Sequence, residues 1–235
     1  MTRRSDFHIL AQPDGATCGP TCLQALYRYY GDDLELARIA EDIPQLDDGG
    51  VMAVQLACHA LRRGYQARIF TYNLQMFDPS WFREPRVDLR AKLVAQAKAK
   101  SKRKLHFATT AYLEFLDLGG QVDMQDLTPG FLKELLVDGA PVLTGLSSTW
   151  LYRAPREVGV DPVDDDVRGI PQGHFVVLFG WEPRLRHVFV ADPLRPNPFS
   201  EGPVYAVDVE RLVAAILLGI LTYDANLLLV RPSAR

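Results

Sequence analysis

Two cysteines lie in one short stretch, QPDGATCGPTCLQALYRYYG, from Gln12 to Gly31, where a polar, flexible segment gives way to a helix-length one. Pro20 in the first turn fits a helix start, because its missing N–H costs nothing there. Cys18 then falls at the helix N-terminal end. Unpaired backbone N–H groups and a positive partial charge at such an end favour a thiolate over a thiol. A thiolate at a loop-to-helix junction is both activated and accessible, so its chemistry is nucleophilic attack. Cys22 lies one turn deeper on the same side, beside Leu23 and Leu26, and reads as packing. Cys58, inside a later helix, reads the same way. Cys58-His59 with the first pair lacks the two-cysteine knuckles of a zinc site, so no metal is expected, and no cofactor.

A nucleophile needs a base, and the base needs a group to orient it. His174 follows Gly173 at the start of GHFVVLFGW, and Asp192, eighteen residues on, precedes Pro193 at the end of FVADP. If the two runs pair as a hairpin, both residues come to the same end of the sheet. There Asp192 can accept the second ring N–H of His174 and fix its tautomer. An oxyanion needs donors as well. The backbone N–H of Cys18 is one, and the side-chain amide of Gln12, six residues upstream, is the second. His8, His59, His106 and His187 have no matching context.

The elements that must position these residues follow from pattern. Cys18–Tyr30 is a helix ended by Gly31, and Asp33–Ile43 is a short amphipathic helix. GGVMAVQLACHALRRG, from Gly49, is a third helix ending at Gly64, and YQARIFTY is a strand. TPGFLKELLVDG is a helix with Thr128 as N-cap, Pro129 first and Gly139 past the end. The C-terminal half then reads as strands: PVLTGLS, the HFVVLFGW/HVFVADP hairpin, VYAVDV and NLLLVR. The apolar run Leu212–Leu221 is too short to span a bilayer and reads as a buried helix. Helices first and an antiparallel sheet second argue for an α+β fold. The whole chain, 1–235, reads as one domain, with 73–128 as a helical insertion. The long polar loop from Arg153 to Gly173, with Asp164, Asp165 and Asp166, directly precedes the histidine and is a candidate cleft wall or lid.

Composition narrows the function class. A net charge of -3 and a pI near 6.0 point to neither nucleic acid nor an anionic membrane. The seven Lys/Arg between Arg90 and Lys104 have no interleaved aromatics and read as a solvated helix face. MTRRSDFHIL lacks the apolar core of a secretory signal. Three cysteines without a signal suggest free thiols in the cytoplasm.

Gln, five residues, then Cys-Gly at a helix start, followed far downstream by Gly-His-Phe-Val-Val and Ala-Asp-Pro, resembles the papain-like cysteine peptidases. Within them the pattern is most similar to the bacteriocin-processing family, which cuts leader peptides after a double glycine. The resembling segments are Gln12–Gly31, Gly49–Tyr72 and Leu132–Leu194. The resemblance implies a papain-like fold, a bacterial source, and Cys18, His174, Asp192 and Gln12 as catalytic residues acting on a peptide or protein segment. The chain departs from the family in having Thr17 where an acid usually precedes the nucleophile. No transmembrane or ATPase region follows, so a stand-alone member is expected. Two rivals use the same residues differently. An amine acceptor would make the site an acyltransferase or transglutaminase-like enzyme, and a degenerate site would make it a non-catalytic peptide-binding module.

Overall fold

A computed structural model describes residues 7–46, 50–85, 87–159 and 163–233 of the chain. Helix α1 (Cys18–Tyr29) begins with Pro20 in its first turn and ends before Gly31, whose φ of +82° suits the left-handed position after a helix. Helices α2 (Leu36–Asp42) and α3 (Ala53–Arg62) follow, then strand β1 (Tyr65–Thr71). The middle of the chain supplies α4 (Leu89–Ala99), α5 (Arg103–Asp117) and β2 (Gln121–Asp123). Helix α6 (Pro129–Val137) starts as its sequence dictates, with Thr128 Oγ1 accepting from the Phe131 N–H at 3.1 Å. Then come β3 (Val142–Ser147), α7 (Ser148–Tyr152), the two-residue strands β4 (Glu157–Val158) and β5 (Val163–Asp164), and β6 (Gly173–Glu182). Strands β7 (His187–Ala191) and β8 (Val204–Asp208), helix α8 (Val209–Leu218) and β9 (Asn226–Pro232) complete the fold.

Seven strands form one sheet in the order β2-β1-β9-β3-β6-β7-β8, antiparallel except for β1 and β2. Both faces are covered. Phe175, Val177 and Phe179 of β6 join the core under α1, α3 and α5, whereas Val176 and Leu178 join the core under α6 and α8. A strand buried on both faces reads as a continuous apolar run, which is why HFVVLFGW shows no alternation.

Three features depart from the sequence reading. The last strand does not close the sheet's C-terminal half. It inserts between β1 and β3, so the strand of the helical half and those of the sheet half share one sheet. Strand pairing of this range leaves no local signal. The three residues of β2 pair parallel to β1, and the single turn of α7 follows β3 directly. Finally, the apolar run Leu212–Leu221 is half-buried. Leu212, Ala215 and Ile216 are covered, while Leu217 and Leu221 are exposed, and a 3-10 turn replaces the helix from Gly219.

Within 73–128, α5 sends Leu105, Ala108, Tyr112 and Phe115 into the core shared with α1 and α3. Helix α4 buries Leu93 alone. Of the seven basic residues there, all are exposed but the half-buried Lys104. Among the described residues, no helix is long and apolar enough to cross a membrane. No group of His, Cys, Asp and Glu among them could hold a metal ion. Residues 1–6, Gly49 and part of the polar loop before His174 lie outside the described residues, and so does the signal reading of the first six. The rest of that loop is a built turn, with Asp165 Oδ1 accepting from the Val167 and Arg168 N–H groups and Ile170 bridging to Glu157.

Candidate active site

Cys18 is the first residue of α1. No side chain caps this helix end and no acid occupies its first turn, so its backbone donors are left for another partner. The end is pressed against β6 and α3 at Gly19. A Cβ there would lie 2.7 Å from Val51 Cγ2 and 3.2 Å from Leu56 Cδ1 and Phe175 Cδ2, a space only glycine fits. One turn on, Cys22 is wholly buried and its Sγ–H donates to the Phe175 carbonyl at 3.3 Å. Burial, with the nearby charges of Cys18 and Asp192, pushes the Cys22 thiol well up. Cys58, its Sγ–H on the Ala111 carbonyl, is pushed up by burial to about 12. All three thiols are free, and Cys18, at 9% exposure, is the most accessible.

His174 is the second residue of β6, and Asp192 directly follows β7. Antiparallel pairing of these strands, with Val177 opposite Ala191, carries both to one end of the sheet. His174 Nε2 lies 2.8 Å from Asp192 Oδ1. The other ring nitrogen, Nδ1, is left for another partner, and the Cys18 sulfur is near enough to act on the ring's charge. Burial opposes a charge on His174, but the Asp192 carboxylate, its hydrogen bond and the Cys18 sulfur outweigh it and raise the imidazole above its ordinary range. Burial likewise opposes ionisation of Asp192, and the His174 charge and hydrogen bonds overcome it, holding the carboxyl well below the usual carboxylate range.

Asp192 is more elaborately held than the sequence suggests. It has no solvent exposure. Its Oδ1 also accepts from the Leu194 N–H at 2.9 Å, and its Oδ2 accepts from the hydroxyls of Tyr152 and Tyr205, each at 2.5 Å. Neither tyrosine was singled out in the sequence. The available signal was general: a tyrosine on the inward face of a strand, as Tyr205 in VYAVDV, needs a partner for its hydroxyl.

Gln12 is tied to the same end. Its backbone N–H donates to the Pro193 carbonyl at 3.0 Å, next to Asp192. Its amide Nε2 donates to the Asp14 carbonyl at 2.7 Å, and its buried Oε1 has no partner. An amide nitrogen carries two hydrogens, so one is left for a ligand. The arrangement therefore offers a thiol, a base oriented by an ionised carboxylate, and free donors at a helix end. That set suits attack on a carbonyl carbon with stabilisation of the resulting oxyanion.

The sequence matches no protein-family model and no curated protein. Solved structures do resemble the fold. A structure from Bacillus anthracis described as a C39-like peptidase aligns with a TM-score of 0.51 at 14% identity, over 98% of this chain and 97% of that one. Xylellain, a cysteine protease from Xylella fastidiosa, aligns at 0.49 and 14% identity, over 97% of this chain and 84% of that one. A double glycine motif protease from an AMS/PCAT transporter, in complex with its leader peptide, aligns at 0.49 and 14% identity, over 99% and 97%. The fold is the papain-like α+β fold of cysteine peptidases.

Proposed function

We propose that this chain is a cysteine peptidase that cleaves a peptide bond through an acyl-enzyme on Cys18. The observation that carries the reading is the His174–Asp192 pair, an imidazole held 2.8 Å from a buried carboxylate, with the thiol of an uncapped helix end near enough to act on its charge. Cys18 Sγ, its proton on His174 Nδ1, attacks the substrate carbonyl carbon and an S–C bond forms. The carbonyl electrons move to oxygen, which the Cys18 N–H and the Gln12 amide stabilise. His174 then gives its proton to the leaving amine, the C–N bond breaks, and a thioester remains. Water attacks the thioester as His174 takes up its proton, which releases the acid and restores the thiol. Asp192 stays ionised throughout and holds the imidazole in place. The sequence resemblance supports a peptide or leader segment, bound in extended form, as substrate.

The test is to incubate the protein with a peptide library and sequence the products. New termini with the wild type and none with Cys18→Ala support the reading. No cleavage by wild type whose Cys18 still reacts with iodoacetamide would contradict it. Repeating the incubation with an added primary amine separates hydrolysis from acyl transfer, because only transfer leaves the amine on the product.

A further inference from the structure

The two oxygens of Asp192 are used differently. Oδ1 faces His174 and the Leu194 N–H, whereas Oδ2 takes only the two phenols. Four donors fill the roughly four lone-pair positions of a carboxylate. The phenols arrive from separate parts of the fold, Tyr152 at the end of α7 and Tyr205 on the edge strand β8. Phe199 bridges them, its ring centroid 5.6 Å from that of Tyr152 and 5.2 Å from that of Tyr205. The Tyr152 ring also lies 6.3 Å from the His174 ring. Both phenol protons thus go to one oxygen, the one turned away from His174.

We propose that Tyr152 and Tyr205 form a two-phenol clamp on Asp192 that sets how strongly this carboxylate holds the proton on His174. Both are positioning residues, since they act on the histidine through Asp192. The clamp works in two ways. It fixes the plane of the carboxylate, so Oδ1 stays on Nε2. It also draws negative charge toward Oδ2 and away from the imidazolium, as hydrogen bonds to a charged acceptor do. A carboxylate without these donors would bind the imidazolium more tightly and slow its proton transfer to a leaving amine. The ionisable groups facing this pair are Cys18 and Cys22 from α1, Tyr152 from α7 and Tyr205 from β8. The catalytic consequence rests on the peptidase reading, but the clamp itself is measurable without substrate.

The experiment follows the His174 ring by NMR titration in histidine-labelled protein, for the wild type, Tyr152→Phe, Tyr205→Phe and the double variant. Each loss of a phenol should move the His174 midpoint to higher pH, and the double variant should move it furthest. Site-specific 3-fluorotyrosine at position 205, a stronger donor of nearly equal size, should move it to lower pH. This arm decides the matter if a phenylalanine variant fails to fold. An unchanged midpoint in folded variants, or shifts of the opposite sign, would overturn the clamp. A protein that cleaves no peptide yet shows these shifts keeps the clamp and loses the peptidase reading. One that cleaves peptides without the shifts does the reverse.

Discussion

Two aspartates, Asp192 and Asp224, are buried against the same sheet, and their surroundings push them in opposite directions. Asp224 lies just before β9, 6% exposed, where Oδ2 accepts from the Ala53 N–H at 2.7 Å and Oδ1 from Asn226 Nδ2 at 2.5 Å. Burial raises it to about 7, against the smaller opposing effects of Asn226, Ala53 and the Lys104 charge. Asp192 is at least as buried, but an imidazolium and three further donors hold it ionised. Burial alone drives a carboxyl toward its neutral form, and a cation with a full set of donors reverses that. The fold supplies such a set at the end of the sheet where Cys18 sits. At Asp224 it supplies neutral donors that join the N-terminus of α3 to β9.

The sharpest way to use the contrast is to remove the cation. His174→Ala should abolish turnover of a cleavable peptide while the protein stays folded by circular dichroism. Asp192→Asn should be milder, with kcat lower by a factor on the order of 10²–10⁴, because Asp192 orients the imidazole and does not itself transfer the proton. Asp224→Asn should leave kcat nearly unchanged in the same assay. If Asp224→Asn were as inactive as Asp192→Asn and still folded, the contrast between the two carboxyls would collapse.

Thermal unfolding against pH separates the pair again. The folded value of Asp224, about 7, lies above the unfolded one, which is near 4. Its contribution to stability is therefore full below about pH 4 and is lost as pH rises through about 7, at up to ~1.4 kcal/mol per pH unit. Asp192 runs the other way. Its contribution is present above about pH 4 and is lost as pH falls toward its depressed folded value. Asp224→Asn should flatten the unfolding midpoint between about pH 4 and 7. A slope unchanged by the substitution would show that Asp224 does not titrate there. The smallest effect belongs to Cys22→Ala, which removes one small packed side chain and its weak hydrogen bond. It should cost on the order of 1 kcal/mol by chemical denaturation and keep most activity. A folded Cys22→Ala as inactive as Cys18→Ala would mean that the two thiols act together.

The sequence carried the site further than it carried the sheet. Cys18, His174 and Asp192 were legible because each sits at a marked junction. A proline-bearing helix start, a glycine before an apolar strand and an Asp-Pro turn are local signals, and the hairpin that joins the last two is local as well. The clamp on Asp192 was not legible. Tyr152 and Tyr205 stand 40 and 13 residues from Asp192, and nothing in their neighbourhoods names a partner. The same holds for β9, whose place between β1 and β3 depends on pairing with strands far back in the chain. Gln12 is intermediate. Its backbone reaches Pro193, beside Asp192, but no local pattern shows that the Asp14 carbonyl would take one of its amide hydrogens.

If His174 serves Cys18 as its base, Cys18 should be the most reactive of the three thiols. Brief labelling with iodoacetamide near neutral pH, followed by peptide mapping, reads all three cysteines at once in the wild type and in His174→Ala. Cys18 should be labelled well before Cys22 and Cys58, and His174→Ala should slow Cys18 alone. Labelling of Cys18 no faster than that of the two buried thiols, or a Cys18 rate indifferent to His174, would contradict this.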